Sequence, residues 1–280
     1  MTQHPSIVVV GSVNLDLVAT VSRLPIAGET VSGAKLARYP GGKGANQALA
    51  ARRLGADVYL CACTGDDAAA DEALALLRAD GVDLSRCIVD HDSATGVALI
   101  AVAASGENQI VVAPGANRKF SPERLGLPVA DALICQLEVP VETIAAAASQ
   151  FSGFFCLNLA PAAEVPAEIL RRADLIVMNE SEAAYVGDAI NGCENMIAIT
   201  YGAKGAVLKL KGETIAKAAP PPAKAIDTTG AGDTFTAALT VGLLEGMSPG
   251  AALEFACAAG ALATTRPGAQ PALPWRRELV

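Results

Sequence analysis

The sequence predicts an α/β fold, a three-layer sandwich with a mostly parallel central sheet, helices on both faces and a small β-sheet lid. Three observations carry this prediction. Short, uniformly apolar runs alternate with amphipathic stretches, the pattern of parallel strands buried on both faces and joined by crossover helices. Two segments depart from that pattern and alternate apolar with polar residues around glycine turns, as antiparallel hairpins do. The 280 residues are 52% hydrophobic and 18% charged, with 4% aromatic, which supplies a large aliphatic core and excludes global disorder.

In chain order, strands are expected at Ile7–Val10, Val58–Cys61, Ala132–Gln136, Phe154–Asn158, Leu175–Met178, Met196–Thr200 and Ala206–Lys209. Helices are expected at Gly44–Leu54, Ala68–Asp80, Val141–Gln150, Glu180–Val186, Asp233–Glu245 and Pro249–Thr265. Right-handed crossovers would stack these helices on the two sides of the sheet. The departing segments are 17–40 and 95–113, with Ser105-Gly106-Glu107-Asn108 as a hairpin turn. A small sheet built from them would lie across the carboxyl ends of the main strands, where open α/β sheets bind ligands, and would act as a lid; the same pattern equally fits two plain surface hairpins. Residues 1–280 are thus expected to form one domain with the lid made by two insertions. Pro220-Pro221-Pro222 reads as a stiff turn before a strand.

A net charge of −8 argues against a nucleic-acid or anionic-membrane partner. The opening MTQHPSIVVVGSVNLD has neither a basic n-region nor a long apolar h-region, and no apolar run reaches the roughly 18 residues of a membrane span. Seven cysteines without a CxxC pair argue against zinc or thioredoxin-like chemistry and for reduced, buried thiols in a cytoplasmic protein.

Chemistry concentrates in a few motifs. Asp227-Thr228-Thr229-Gly230-Ala231-Gly232-Asp233 follows the strand-like KAI and opens a helix. Small residues there let backbone N–H groups approach an anion, and the helix N-terminus adds positive potential. An acidic residue beside an anion site makes chemical sense if Asp233 takes a proton from an attacking hydroxyl. Gly41-Gly42-Lys43-Gly44-Ala45-Asn46-Gln47 matches neither GxxxxGK[ST] nor GxGxxG; it places Lys43 and Asn46 on one helix face, suited to a polyhydroxylated ligand. Asn14 and Asp16 share one side of an extended segment after the first strand, pairing an amide with a carboxylate. Glu138, the run Asn179-Glu180-Ser181-Glu182 and the turn Thr200–Gly205 place further polar groups at strand ends.

These motifs, GSVNLD, GGKGANQALAARRLGA, QLE, NESE, ITYGAKG and DTTGAGDTF in this order, resemble the PfkB carbohydrate kinases over essentially the whole chain. SATGVALI, GENQIVVAPGAN and TRPGAQPALPW place the likeness nearest the ribokinase branch of that family. The resemblance implies a ribokinase-like sandwich and ATP-dependent phosphorylation of the primary 5-hydroxyl of D-ribose. Deoxyribose or fructose as the sugar, or a catalytically weak sugar- or nucleotide-binding regulator, are the alternatives. It implies Asp233 as catalytic base, with Gly230, Ala231 and Gly232 as the anion hole. Asn14, Asp16, Gly42, Lys43, Gly44, Asn46 and Glu138 would hold the sugar. Asn179, Thr200, Tyr201, Gly202, Ala203, Lys204, Gly205, Gly232 and Cys257 would hold ATP. Glu182 would organise Mg2+ through water, and Asp227, Thr229, Ala263, Arg266 and Gly268 a monovalent cation, K+. A homodimer through the lid is implied as well. Three departures stand out: the 187–196 crossover is shorter than the family's by about a helix, Ala272 replaces a frequent serine near the cation site, and the chain lacks a final helix after PWRREL.

Overall fold

A computed structural model of the protein describes residues 4–190 and 194–279. Its strands are β1 (Ser6–Val10), β2 (Asn14–Val21), β3 (Lys35–Gly41), β4 (Asp57–Gly65), β5 (Asp83–Asp90), β6 (Gly96–Ala103), β7 (Asn108–Ala113), β8 (Ala132–Gln136), β9 (Phe154–Asn158), β10 (Leu175–Asn179), β11 (Met196–Thr200), β12 (Ala206–Leu210) and β13 (Glu213–Ala218). The α-helices are α1 (Lys43–Arg53), α2 (Ala68–Ala73), α3 (Ala75–Ala79), α4 (Val141–Gln150), α5 (Ala167–Arg172), α6 (Glu180–Val186), α7 (Ala231–Leu244), α8 (Pro249–Ala263) and α9 (Ala269–Ala272).

Nine strands form the main sheet in the order β13-β12-β11-β10-β9-β8-β1-β4-β5, and only β12 and β13 run antiparallel to their neighbours. The apolar runs explain the centre. In β1, Ile7 and Val9 enter one core layer with α1, α7 and α8, while Val8 and Val10 enter the other with α4 and α5. Alternate side chains of one strand thus serve opposite layers, so a strand buried on both faces must be apolar throughout. Helix α7 is buried on all sides from Asp233 to Gly242 and α8 is rich in alanine, as helices enclosed by protein are. Helix α1 begins hard against the end of β1: a Cβ on Gly44 would fall 2.5 Å from the Gly11 carbonyl carbon, so only glycine admits this contact.

The second sheet has the order β3-β2-β6-β7. Its hairpins, β2 with β3 and β6 with β7, are antiparallel, and a parallel pairing of β2 with β6 joins them.

Several expectations change. The helix expected over Ala68–Asp80 is divided at Leu74, although the Leu74 N–H still bonds Ala70 O and the Arg78 N–H still bonds Leu74 O, so the break is a local kink. The strand-like Lys224–Ile226 is irregular, and the three prolines follow β13 instead of leading into a strand, because proline offers no N–H to a ladder. Strands β5 and β13, the two edges of the sheet, and the short helix α5 were not expected from the pattern. Within the 187–196 crossover, a 3-10 turn spans Gly187–Ile190, and residues 191–193 lie outside the described set. Of the cysteines, Cys61, Cys63, Cys135, Cys156 and Cys257 are buried free thiols and Cys87 is half-buried and free; Cys193 lies outside the described residues.

Candidate active site

The carboxyl ends of the parallel strands and the inner face of the small sheet enclose a cavity of about 390 Å³. Period-2 alternation aims Asn14 and Asp16 of β2 into it, beside Ile100 of β6 and Ile110 of β7. Helix α1 brings Lys43 and Asn46 on one face, the segment after β8 brings Glu138, and the first turn of α7 brings Asp233. Gly42 also lines the cavity, whereas Gly44 is spent on the approach to β1 and does not reach it.

Hydrogen bonds hold these groups from behind. Asn46 Nδ2 donates to Asp233 Oδ2 at 2.8 Å, and Gln47 Nε2 donates to Asp233 Oδ1 at 2.9 Å. Ser12 Oγ donates to Glu138 Oε2, which also accepts the Lys43 N–H at 3.1 Å. Asn117 Nδ2 donates to Asn14 Oδ1.

Four carboxylates, Asp16, Glu138, Glu182 and Asp233, share this cavity with one ammonium, that of Lys43. Burial, reinforced by Glu138, Asp233 and Asp227 and opposed by Lys43, pushes the Asp16 carboxyl up to about 7. Burial also raises Asp233, against the pull of Lys43, Asn46 and Gln47. For Lys43, burial works against the charge, yet Asp233, Glu138, Glu182 and Asp16 prevail and its ammonium is held above the usual range.

A second, more apolar cavity of about 430 Å³ lies alongside. Thr200, Gly202, Ala203 and Gly205 from the β11–β12 turn line it, with the three prolines and Cys257 of α8. Ala231 opens onto this second cavity and Gly230 onto the first, while Thr228, Thr200 and Gly232 line both, so the cavities meet at the start of α7. Gly230 sits there at φ 78°, the left-handed conformation that turns the chain into the helix.

The expected nucleotide set divides. Asn179 lines the first cavity, and Tyr201 and Lys204 line a separate shallow recess with Lys217, because the 3-10 turn at Gly202–Lys204 puts residues three apart on the same side. Glu182 also lines the first cavity; it and Asn179 cap α6 reciprocally, with the Asn179 N–H donating to Glu182 Oε2 at 2.7 Å. Burial raises the Glu182 carboxyl. Asp227 ties two loops together: its Oδ1 accepts the Thr229 N–H at 2.9 Å and its Oδ2 the Gly268 N–H at 2.8 Å. Ala263 is buried at the end of α8, and the Arg266 side chain turns away to pair with Glu278.

Residue-by-residue reading of the motifs missed the second rank of polar groups, Ser12, Gln47, Asn117, Gln136 and Asn158, all buried. Ser12 and Gln47 sit inside motifs already singled out. Amides closing the apolar runs at Gln136 and Asn158 were the available signal, since a polar side chain at the end of a buried strand is most often there to meet a partner.

Comparison with known proteins agrees with this geometry. Residues 4–276 match the family described as pfkB family carbohydrate kinase. A ribokinase of Bacillus subtilis is 37% identical over 288 residues, covering 98% of each chain. The crystal structure of a ribokinase from Thermotoga maritima superposes with a TM-score of 0.89 at 32% identity, covering 98% of each chain. The structure of Arabidopsis thaliana ribokinase complexed with ribose and ATP gives a TM-score of 0.86 at 31% identity, covering 99% of this chain and 98% of that one. With a polar cavity and an apolar one meeting at a glycine-rich helix start beside a buried carboxylate, the chain belongs to the pfkB family of carbohydrate kinases, enzymes that transfer a phosphoryl group to a sugar hydroxyl.

Proposed function

We propose that this protein is a ribokinase, transferring the γ-phosphoryl group of ATP to the primary 5-hydroxyl of D-ribose to give ribose 5-phosphate and ADP. The observation that carries the reading is Asp233, a carboxylate held on both oxygens by amide donors in the first turn of α7, where the two cavities meet. The polar cavity suits a polyol and the apolar one a nucleotide base, in line with the ribose and ATP bound by the Arabidopsis relative.

In this mechanism the sugar binds first-cavity groups: Asn14 and Asn46 present amides, and Asp16 and Glu138 accept from hydroxyls. Asp233 takes the proton of the primary hydroxyl as its oxygen attacks phosphorus in line. Gly230 and Gly232 present N–H groups to the charge on the transferring group, and Ala231, whose N–H donates to Thr228 O at 3.3 Å, opens α7 and sets its positive end there. Lys43 adds a fixed positive charge among the carboxylates. ATP lies along Thr200, Gly202, Ala203, Gly205 and Cys257. The small sheet acts as a lid, keeping water from competing as acceptor.

Glu182 fits a magnesium site reached through water, since its partly buried carboxylate faces the cavity with one oxygen engaged by the Asn179 N–H. Bound magnesium would neutralise phosphate charge. Asp227 and Gly268 fit a K+ site, because their hydrogen bond brings two loops rich in carbonyl oxygen together; Thr229, Ala263 and Arg266 would complete it through their backbone. Ala272, wholly buried, offers no hydroxyl to that shell.

A second copy of the chain is proposed to cover the outer face of the small sheet, giving a homodimer. Register places Leu17, Leu99 and Val111 in one row on that face, away from the cavity, with Leu36 of β3 nearby. Leu99 and Val111 are 50% and 64% exposed, an apolar surface a lone soluble chain seldom leaves open. We also assign the protein to the cytoplasm; its acidic charge and free thiols support this, and no described helix is long and apolar enough to cross a membrane.

The test is ADP release from ATP and magnesium with ribose, deoxyribose or fructose, each with and without potassium. Ribose is expected to be preferred and potassium to raise its turnover. Preference for another sugar reassigns the substrate, and no turnover with any sugar despite ATP binding overturns the kinase reading in favour of a binding regulator.

A further inference from the structure

At the cavity wall, four side chains from four elements form a hydrogen-bonded relay that ends on Asp233; Asn158 and Asp233 line the cavity, and Gln47 and Gln136 lie behind it. Asn158, at the end of β9, donates its Nδ2 to the Val177 carbonyl at 3.1 Å, so its Oδ1 must face the other way. That oxygen accepts from Gln47 Nε2 at 3.0 Å. The same Nε2 gives its second hydrogen to Asp233 Oδ1 at 2.9 Å. Gln136, at the end of β8, donates its Nε2 to Gln47 Oε1 at 2.6 Å. Every polar atom of the Gln47 amide is therefore engaged, and only one orientation satisfies all three partners. Gln47 and Gln136 are fully buried, and neither lines the cavity.

We infer that Gln47, oriented by Gln136 and Asn158, is a positioning residue that fixes Asp233 Oδ1 as a hydrogen-bond acceptor and thereby keeps the base ionised and aimed at the substrate hydroxyl. The inference rests on the reading of Asp233 as the base. Its physical content is an asymmetry between the two carboxylate oxygens. Asn46, which lines the cavity, holds Oδ2; Gln47, behind the wall, holds Oδ1. An amide N–H can only donate, so the Gln47 bond favours the charged carboxylate over the acid and also restrains rotation of the carboxylate plane. The other charges that face Asp233 are Lys43 at the start of α1, Glu138 after β8, Asp16 on β2 and Glu182 on α6. Replacing an uncharged glutamine leaves all four in place.

The decisive variant is Gln47→Met, which keeps the length of the side chain and removes its donors and acceptor. Its kcat for the sugar is expected to fall about 10-fold while the sugar KM changes less than about threefold, since the lost interaction acts on the base and not on substrate binding. The acid limb of the kcat profile is expected to move to higher pH by about one unit, the direction that follows from losing a bond to the charged form. Gln136→Met, which leaves Gln47 present but free to turn, is expected to shift the limb the same way by less. The double variant is expected to shift it no further than Gln47→Met alone, because the two act through one amide.

An unmoved acid limb in Gln47→Met overturns the proposal, as does a rise in both KM values with the limb in place, which is the signature of packing. Should Gln47→Met fail to fold, Gln136→Met decides, and an unmoved limb there overturns the relay. Asp233→Asn separates this inference from the reading beneath it. Near-normal turnover in that variant removes the base, and the positioning role with it. An inactive Asp233→Asn beside a normal Gln47→Met removes the positioning role alone.

Discussion

Asn117 donates its Nδ2 to Asn14 Oδ1 at 2.8 Å while its own Oδ1 accepts the Val13 N–H at 2.9 Å. The Val13 N–H can only donate, so it sets the Asn117 amide, and Asn117 in turn sets that of Asn14. The Asn14 Nδ2 is left as the donor for the cavity. Asn117 lies in the 3-10 turn directly after β7, so the segment that leaves the small sheet also orients a cavity-facing amide.

Asn117→Asp keeps the shape but cannot donate. The sugar KM is expected to rise about 10-fold, the scale of one hydrogen bond lost in a buried site, with the ATP KM within about twofold. Steady-state kinetics in both substrates checks this; equal rises in both KM values would mean that the variant disturbs the fold instead of one amide.

Asp233→Asn is expected to bind sugar and ATP by calorimetry and to lose turnover by about 10² or more, the usual contribution of a positioned base. Retained turnover would take Asp233 out of the mechanism.

Asp16 is costly to the free protein. Its carboxyl, lifted by burial and by Glu138, Asp233 and Asp227 to about 7, lies above the unfolded value, so its contribution to stability is fully present below about pH 4 and is lost as pH rises through 7. Asp16→Asn removes that loss. Without substrate its Tm is expected to exceed the parent's by about 5 °C at pH 8, and the difference to close as pH falls toward 4. Sugar binding is expected to weaken in the same variant. Calorimetric scans across pH read the trend; a lower Tm at pH 8 would contradict it.

Leu99 is the centre of the proposed dimer face, paired across the sheet with Leu17 and Val111. Sedimentation at micromolar concentration is expected to give twice 28.3 kDa for the parent and a monomer for Leu99→Glu. A parent that sediments only as a single 28.3 kDa chain would rule out the dimer.

Much of this molecule was legible in its residues, for local reasons. The central strands are apolar throughout because both faces are covered, and that pattern needs no knowledge of neighbours. The start of β2 alternates because Asn14 and Asp16 meet the cavity while Leu15 and Leu17 face away, whereas β6, GVALIAVA, is apolar on both faces. Edge strands β5 and β13 escaped because half-exposed strands carry polar residues that mimic loops, as in DLSRCIVD and ETIAKA. The buried relay escaped for another reason: Gln47 and Asp233 lie 186 residues apart, and no local pattern records that they touch.

Local residue patterns are enough to dictate the layered architecture, the glycine turns at the starts of α1 and α7, and the order of the strand-end motifs, because propensity, periodicity and steric tolerance act over a few neighbouring residues. Long-range packing settles that Gly44 serves close packing against β1 and does not line the cavity, that Tyr201 and Lys204 face away from it, that Asn158 joins its lining, and that Gln47, Gln136 and Asn117 stand behind the groups in it. Those outcomes depend on which distant strand ends are brought side by side. A buried amide acquires its direction from the partners it meets there, and not from its own place in the chain.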